Sequence, residues 1–255
     1  MIIVIASGKG GVGKTVSAIN LGFAMNELGG KALIVDGNLT TPNVGLHLGA
    51  PIVPITLNHV LKGEASLDEA VYEHESGTKI LPSSLSIREL NKIKYNKLKG
   101  LSNSLRELAD NVIIDSPAGL GEEAISVLKM ADSIVIVTNP DMPSVTDALK
   151  AIKTAQDLGK EVRGVIVARV RGTRAEMPLD NIKDMLEIPV LSVIPDDLAV
   201  PESIALKNPV ITTKPNSRAS KAYKKLAAKL IGKDYMEEKL ENKNWLARIL
   251  ENLGF

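Results

Sequence analysis

The chain contains no cysteine among its 255 residues. That single absence excludes disulfides, thiolate metal sites and cysteine-held iron–sulfur clusters. Long hydrophobic runs are missing too, since none approaches the roughly 18 to 20 apolar residues that a membrane-crossing helix needs. The opening residues MIIVIASGKG carry no charged leader and pass directly into a glycine-rich motif. They read as a buried strand and not as a secretory signal, which predicts a cytoplasmic protein. Net charge is also scarce: 31 Lys and Arg against 30 Asp and Glu leave +1. This gives no global pull toward nucleic acid and confines any such binding to a local patch. What is present is an ordinary globular composition, 44% hydrophobic and 24% charged, at a length that buries a substantial core.

Short runs rich in Ile and Val recur along the chain: IIVIA (2–6), ALIVD (32–36), VIID (112–115), SIVIVT (133–138), GVIVARV (164–170) and VLSVI (190–194). They are nearly continuous in hydrophobicity and do not alternate, as expected of parallel strands covered by helices on both faces. The connecting stretches 15–30 and 142–159 space their apolar residues helically and end in glycine. The fold class is therefore α/β, a mostly parallel central sheet flanked by helices. Residues 51–110 are more polar, look mostly helical with a short strand near TKILP (78–82), and read as an insertion within one domain.

The segment GKGGVGKT satisfies G-x-x-x-x-G-K-[ST] with Gly8, Gly13, Lys14 and Thr15, between a predicted strand and a predicted helix. Glycines let backbone N–H groups turn inward around phosphate oxygens, and the helix N-terminus adds partial positive charge. In such a loop the lysine reaches the β- and γ-phosphates and the threonine hydroxyl serves a magnesium ion, so this is a P-loop NTPase pattern and Thr15 is a metal candidate. A second acidic anchor is expected at the end of another hydrophobic strand, and NVIIDSPAG supplies Asp115 as the other metal candidate.

The sequence KGGVGKT, with Lys9 directly before paired glycines, resembles the deviant Walker A motif, and the chain looks like a MinD-type member of the MinD/ParA ATPases. The resemblance runs to about residue 230 through VDGNLTTPNVGLHLG, IIDSPAGL, VTNPDMPSVTDALK and VIPDD. It implies ATP and Mg2+ as ligands, held by Gly8, Lys9, Gly10, Gly11, Val12, Gly13, Lys14, Thr15 and Val16. It further implies a homodimer in the ATP state, in which Lys9 reaches the partner's nucleotide, and gives Lys9 and Lys14 catalytic roles. A cation there stabilises charge that develops during transfer.

Two positions depart from the family pattern. Where Asp-x-Asp is usual this chain reads Asp36-Gly37-Asn38. Asn38 is unable to act as a base but can position water, which predicts slow hydrolysis; Asp36 stays available to support the metal or orient water. Where an Asn-Arg pair reads adenine, this chain has Ala168-Arg169. The loss removes a hydrogen bond of about 1 kcal/mol and leaves Arg169, Pro195 and Asp196 as base contacts. Iron–sulfur relatives sharing the loop require cysteines and are excluded.

The chain divides into a P-loop ATPase domain (1–232) and a C-terminal amphipathic tail (233–255). On a helix, Trp245, Leu246, Ile249, Leu250 and Leu253 fall within an arc of about 140°. That stripe (244–255) predicts docking on a membrane surface, as in MinD proteins, and hence a peripheral location on the inner face of the cell membrane; packing on protein is the alternative. Lys221, Lys224, Lys225 and Lys229 form a basic face that reads as solvated, as does NKIKYNKLKGL (91–101). His47, His59 and His74 lack metal-ligand spacing. The leading function is an ATP-driven switch in cell division or spatial positioning that meets an unidentified protein effector. The alternatives are a ParA-like DNA-partition ATPase and a non-hydrolysing regulatory module.

Overall fold

The computed structural model describes residues 1–86, 88, 93 and 95–235. Branched side chains pack well on a pleated surface, and the Ile/Val runs accordingly form strands. The described residues include β1 (Ile2–Ala6), β2 (Ala32–Asp36), β3 (Tyr72–Glu73), β4 (Lys79–Leu81), β5 (Asn111–Asp115), β6 (Ser133–Thr138), β7 (Glu161–Val170) and β8 (Val190–Pro195). They make one sheet in the order β3-β4-β2-β5-β1-β6-β7-β8, parallel except for the β3–β4 pair.

The absence of alternation in the strands has its cause in two separate cores. Ile2, Val4 and Ala6 of β1 face one core, which α3 (Leu57–Lys62), α5 (Ser102–Leu108), α6 (Glu122–Leu128), α7 (Met142–Asp157) and α8 (Leu179–Leu186) complete; α4 (Leu67–Ala70) adds Ala70. Ile3 and Ile5 face the other, which is closed by α1 (Lys14–Glu27), α10 (Val210–Thr213) and α11 (Arg218–Ile231), with single residues from α2 (Val44–His47) and α9 (Ala199–Ala205). Each fully buried Ile contributes about 1.5–3 kcal/mol, so every second strand residue stabilises a different layer. Helix α1 lies so close to β2 that a Cβ on Gly22 would sit 2.4 Å from Ile34 Cγ1.

Local chemistry sets the helix ends. Asp141 caps α7 by accepting from Ser144 N at 2.9 Å, and Pro143 sits in its first turn. Gly232 (φ 67°) terminates α11. Residues 51–110 do more than form a helical insertion, because β4 pairs with β2 and β3 closes that sheet edge antiparallel. A two-residue strand carries no readable periodicity, and β3 is not foreseen. Within 91–101, the described Tyr95–Leu101 form a 3-10 helix with Leu98 buried and Lys97 Nζ donating to Leu61 O at 2.9 Å. That segment is anchored and not simply solvated. Residues 236–255, including the amphipathic stretch, lie outside the described residues.

Candidate functional site

Strand β1 stands between β5 and β6, and the loops leaving the carboxyl ends of β1, β2 and β5 meet there, where open α/β sheets bind ligands. The chain leaves β1 at Ala6, runs through Ser7–Val12, and enters α1 through Gly13 at φ 105°, a left-handed conformation suited to glycine. Gly8 is required for a different reason: a Cβ there would lie 2.0 Å from the Asp147 carbonyl oxygen of α7. Gly10 and Gly11 are exposed along the loop, and Val12 is buried beneath it.

The two lysines of the loop are arranged oppositely. Lys14 is buried; its Nζ donates to Ser7 Oγ at 2.9 Å and to the Lys9 carbonyl at 3.5 Å. Burial pulls the Lys14 pKa down, and the Asp115 carboxylate works against that shift. Lys9 has an exposed side chain, while its carbonyl oxygen also accepts from Ser7 Oγ at 2.6 Å.

Asp36 and Asp115 end neighbouring strands and are paired in register. Thr15 Oγ1 donates to Asp115 Oδ2 at 2.6 Å, whereas Asp115 Oδ1 is buried without a hydrogen-bond partner. Burial raises the Asp115 pKa, and the Thr15 hydrogen bond and Lys14 resist the rise. Burial, followed by the nearby Asp115, raises Asp36 further, although Asp36 Oδ2 accepts from Asn43 N and Val44 N, each at 2.9 Å. Asp115 thus faces the Lys14 ammonium with one oxygen still unpartnered, and a second buried carboxyl group, Asp36, stands beside it. A hard divalent cation with oxygen ligands fits that set.

Beside the loop lies a cavity of about 260 Å³, walled by Val12, Val16, Ala168, Ile194 and Pro195 with Arg169, Arg171 and Asp196 among its polar rim. It thus gathers Val16, Arg169, Pro195 and Asp196 in one place. Arg169 holds φ 58° where the β7–β8 register shifts, and Asp196 is ion-paired with Arg171 Nε at 2.7 Å. The methyl of Ala168 faces Gly13, where a longer side chain would enter the cavity. Several contributors went unrecognised in the sequence. Asn139, with its amide nitrogen toward the loop, donates to Val12 O at 3.1 Å and Ala168 O at 3.2 Å, tying β7 to the glycine loop. Tyr223 is buried on the cavity wall with its hydroxyl 3.3 Å from Ser17 Oγ, and its pKa is pushed up to about 12, chiefly by burial. Ser7, Arg171 and Glu123 are further examples; only Ser7 lies inside a readable motif.

The parallel sheet, the glycine loop and the paired strand-end carboxylates define a P-loop nucleotide-binding protein. Residues 3–210 match the CobQ/CobB/MinD/ParA nucleotide binding domain, and the chain belongs to that family. It is 35% identical over 252 residues to an uncharacterised ATP-binding protein of Methanocaldococcus jannaschii, covering 98% of this chain and 96% of the relative. It is also 32% identical over 243 residues to the septum site-determining protein MinD of Thermotoga maritima, covering 91% and 88%. Among solved structures, MinD of Pyrococcus horikoshii complexed with Mg-ADP superposes with a TM-score of 0.86 at 36% identity, covering 90% of this chain and 95% of that one. MinD/ParA members are ATPases.

Proposed function

We propose that this chain is an ATP-binding and slowly hydrolysing molecular switch of MinD type. Two copies close face to face around ATP and Mg2+, the pair docks on a membrane surface or a protein effector, and hydrolysis releases it. The observation that carries this reading is the division of labour between the lysines of one loop. Lys14 is folded inward and buried, so it serves phosphates bound by its own loop; Lys9 keeps its carbonyl inward and its ammonium outward, as a residue acting on a second copy must.

Phosphate oxygens replace Ser7 Oγ as the partner of Lys14, and the inward N–H groups of Gly8–Thr15 complete the cradle. Thr15 and Asp115 would hold magnesium, which when bound offsets the charge of the phosphates. Asp36 supports Asp115 from the adjacent strand, and Asn38 positions water without accepting its proton, which supports slow turnover. The base occupies the cavity lined by Val16, Arg169, Pro195 and Asp196. The domain 1–232 carries this chemistry and residues 233–255 carry attachment. Among the described residues no helix is long and apolar enough to cross a membrane. In this reading attachment is peripheral, on the inner face of the cell membrane. The DNA-partition alternative draws less support, because Lys224 of the basic face is paired with Glu27 at 2.6 Å.

ATP turnover tests the enzymatic part. Wild type should show slow, magnesium-dependent release of phosphate that Lys14→Ala and Lys9→Ala both abolish; a Lys9→Ala protein with undiminished turnover contradicts the trans role. Removing residues 244–255 should abolish ATP-dependent sedimentation with anionic liposomes while leaving nucleotide binding intact, and unchanged sedimentation refutes membrane attachment.

A further inference from the structure

The loop after β2 buries Leu39 completely, so its backbone polar groups need partners inside the protein. Three side chains provide them. Asp36 accepts from Asn38 N, Asn43 N and Val44 N. Asn38 is folded onto Thr41: its Oδ1 accepts from Thr41 N at 3.0 Å, and its Nδ2 donates to the Thr41 carbonyl at 2.6 Å. The third is Glu123, which belongs to another part of the chain, in the first turn of α6 just beyond the segment that follows Asp115.

Glu123 Oε1 accepts from Leu39 N at 2.6 Å and Thr40 N at 3.1 Å, and Oε2 accepts from the Thr40 hydroxyl at 2.7 Å. Bonds from backbone N–H groups to a carboxylate are among the stronger hydrogen bonds. The Thr40 contacts lie at the exposed surface, so this clasp can open without unpacking the core. Gly119 (φ 81°) and Gly121, between Asp115 and Glu123, have open space where side chains would stand. That stretch has room to shift Glu123 relative to Asp115. While the clasp is closed, both ends of the Asn38 amide are committed to Thr41.

The geometry points to Glu123 as a positioning residue, a latch that ties the loop 38–41 to the segment following Asp115 and keeps Asn38 folded onto Thr41. Opening the latch frees Asn38 to position water. This last step rests on the ATPase reading above; the latch itself does not.

Amide hydrogen exchange on the full nucleotide-free chain tests the latch directly. Glu123→Ala should speed exchange at Leu39 and Thr40 on the order of tenfold or more, with β5 amides unchanged. Glu123→Gln, which retains one carbonyl acceptor, should restore protection at Leu39 in part. Unaltered exchange at both residues overturns the latch, as does an equal acceleration through β2 and β5, which signals general loss of structure. Turnover tests the consequence for Asn38: kcat of Glu123→Ala should rise about threefold or more with KM for ATP nearly unchanged. An unchanged or lower kcat in a protein whose loop amides are freed overturns that step. A wild type with no turnover refutes the ATPase reading instead, and the exchange result still decides the latch.

Discussion

Asp36 and Asp115 lie side by side at the ends of adjacent strands, both buried, and burial holds the Asp36 pKa up to about 8. An unfolded chain loses that proton near the ordinary 3.8. Between those two values the folded state binds more protons than the unfolded state, so its stability falls as pH rises. Nucleotide-free protein in a chelator should therefore lose thermal stability between pH 5 and pH 8, and Asp36→Asn should flatten that slope. Equal slopes for the two proteins would show that Asp36 is ionised throughout. Part of this site is legible in sequence, because a phosphate cradle demands glycines, lysine and threonine at fixed spacing, and a strand end announces Asp115. Tyr223 and Glu123 are not legible. Their partners lie 206 and 84 residues away, and tertiary packing alone selects them.

At the scale of elements, the continuous Ile/Val runs disclose the strands because both faces of the sheet are covered, and the glycines that close 15–30 and 142–159 disclose the ends of α1 and α7. The short strand read at TKILP (78–82) is β4, which extends the sheet beyond β2, whereas strand β3 stays hidden for lack of length. The packing of α1 on β2 is another feature that only the fold exposes. Gly22→Val should destabilise the domain by about 1–3 kcal/mol through overpacking against Ile34. Gly100→Ala, where a Cβ meets nothing within 4 Å, should stay within about 0.5 kcal/mol of wild type. Denaturant unfolding compares the two, and equal midpoints would mean that α1 does not seat on Ile34 as described.

For the whole molecule, Lys14 is turned inward and Lys9 outward, and the proposed function assigns that outer cation to the nucleotide of a second copy. The central claim is therefore tested most directly by size-exclusion chromatography with light scattering on the full chain in ADP, ATP and a non-hydrolysable ATP analogue, each with magnesium, for wild type and Lys9→Ala. The account predicts a monomer in ADP, a dimer with the analogue, and a Lys9→Ala protein that binds the analogue yet stays monomeric. A wild-type protein that remains monomeric with the analogue bound would contradict it.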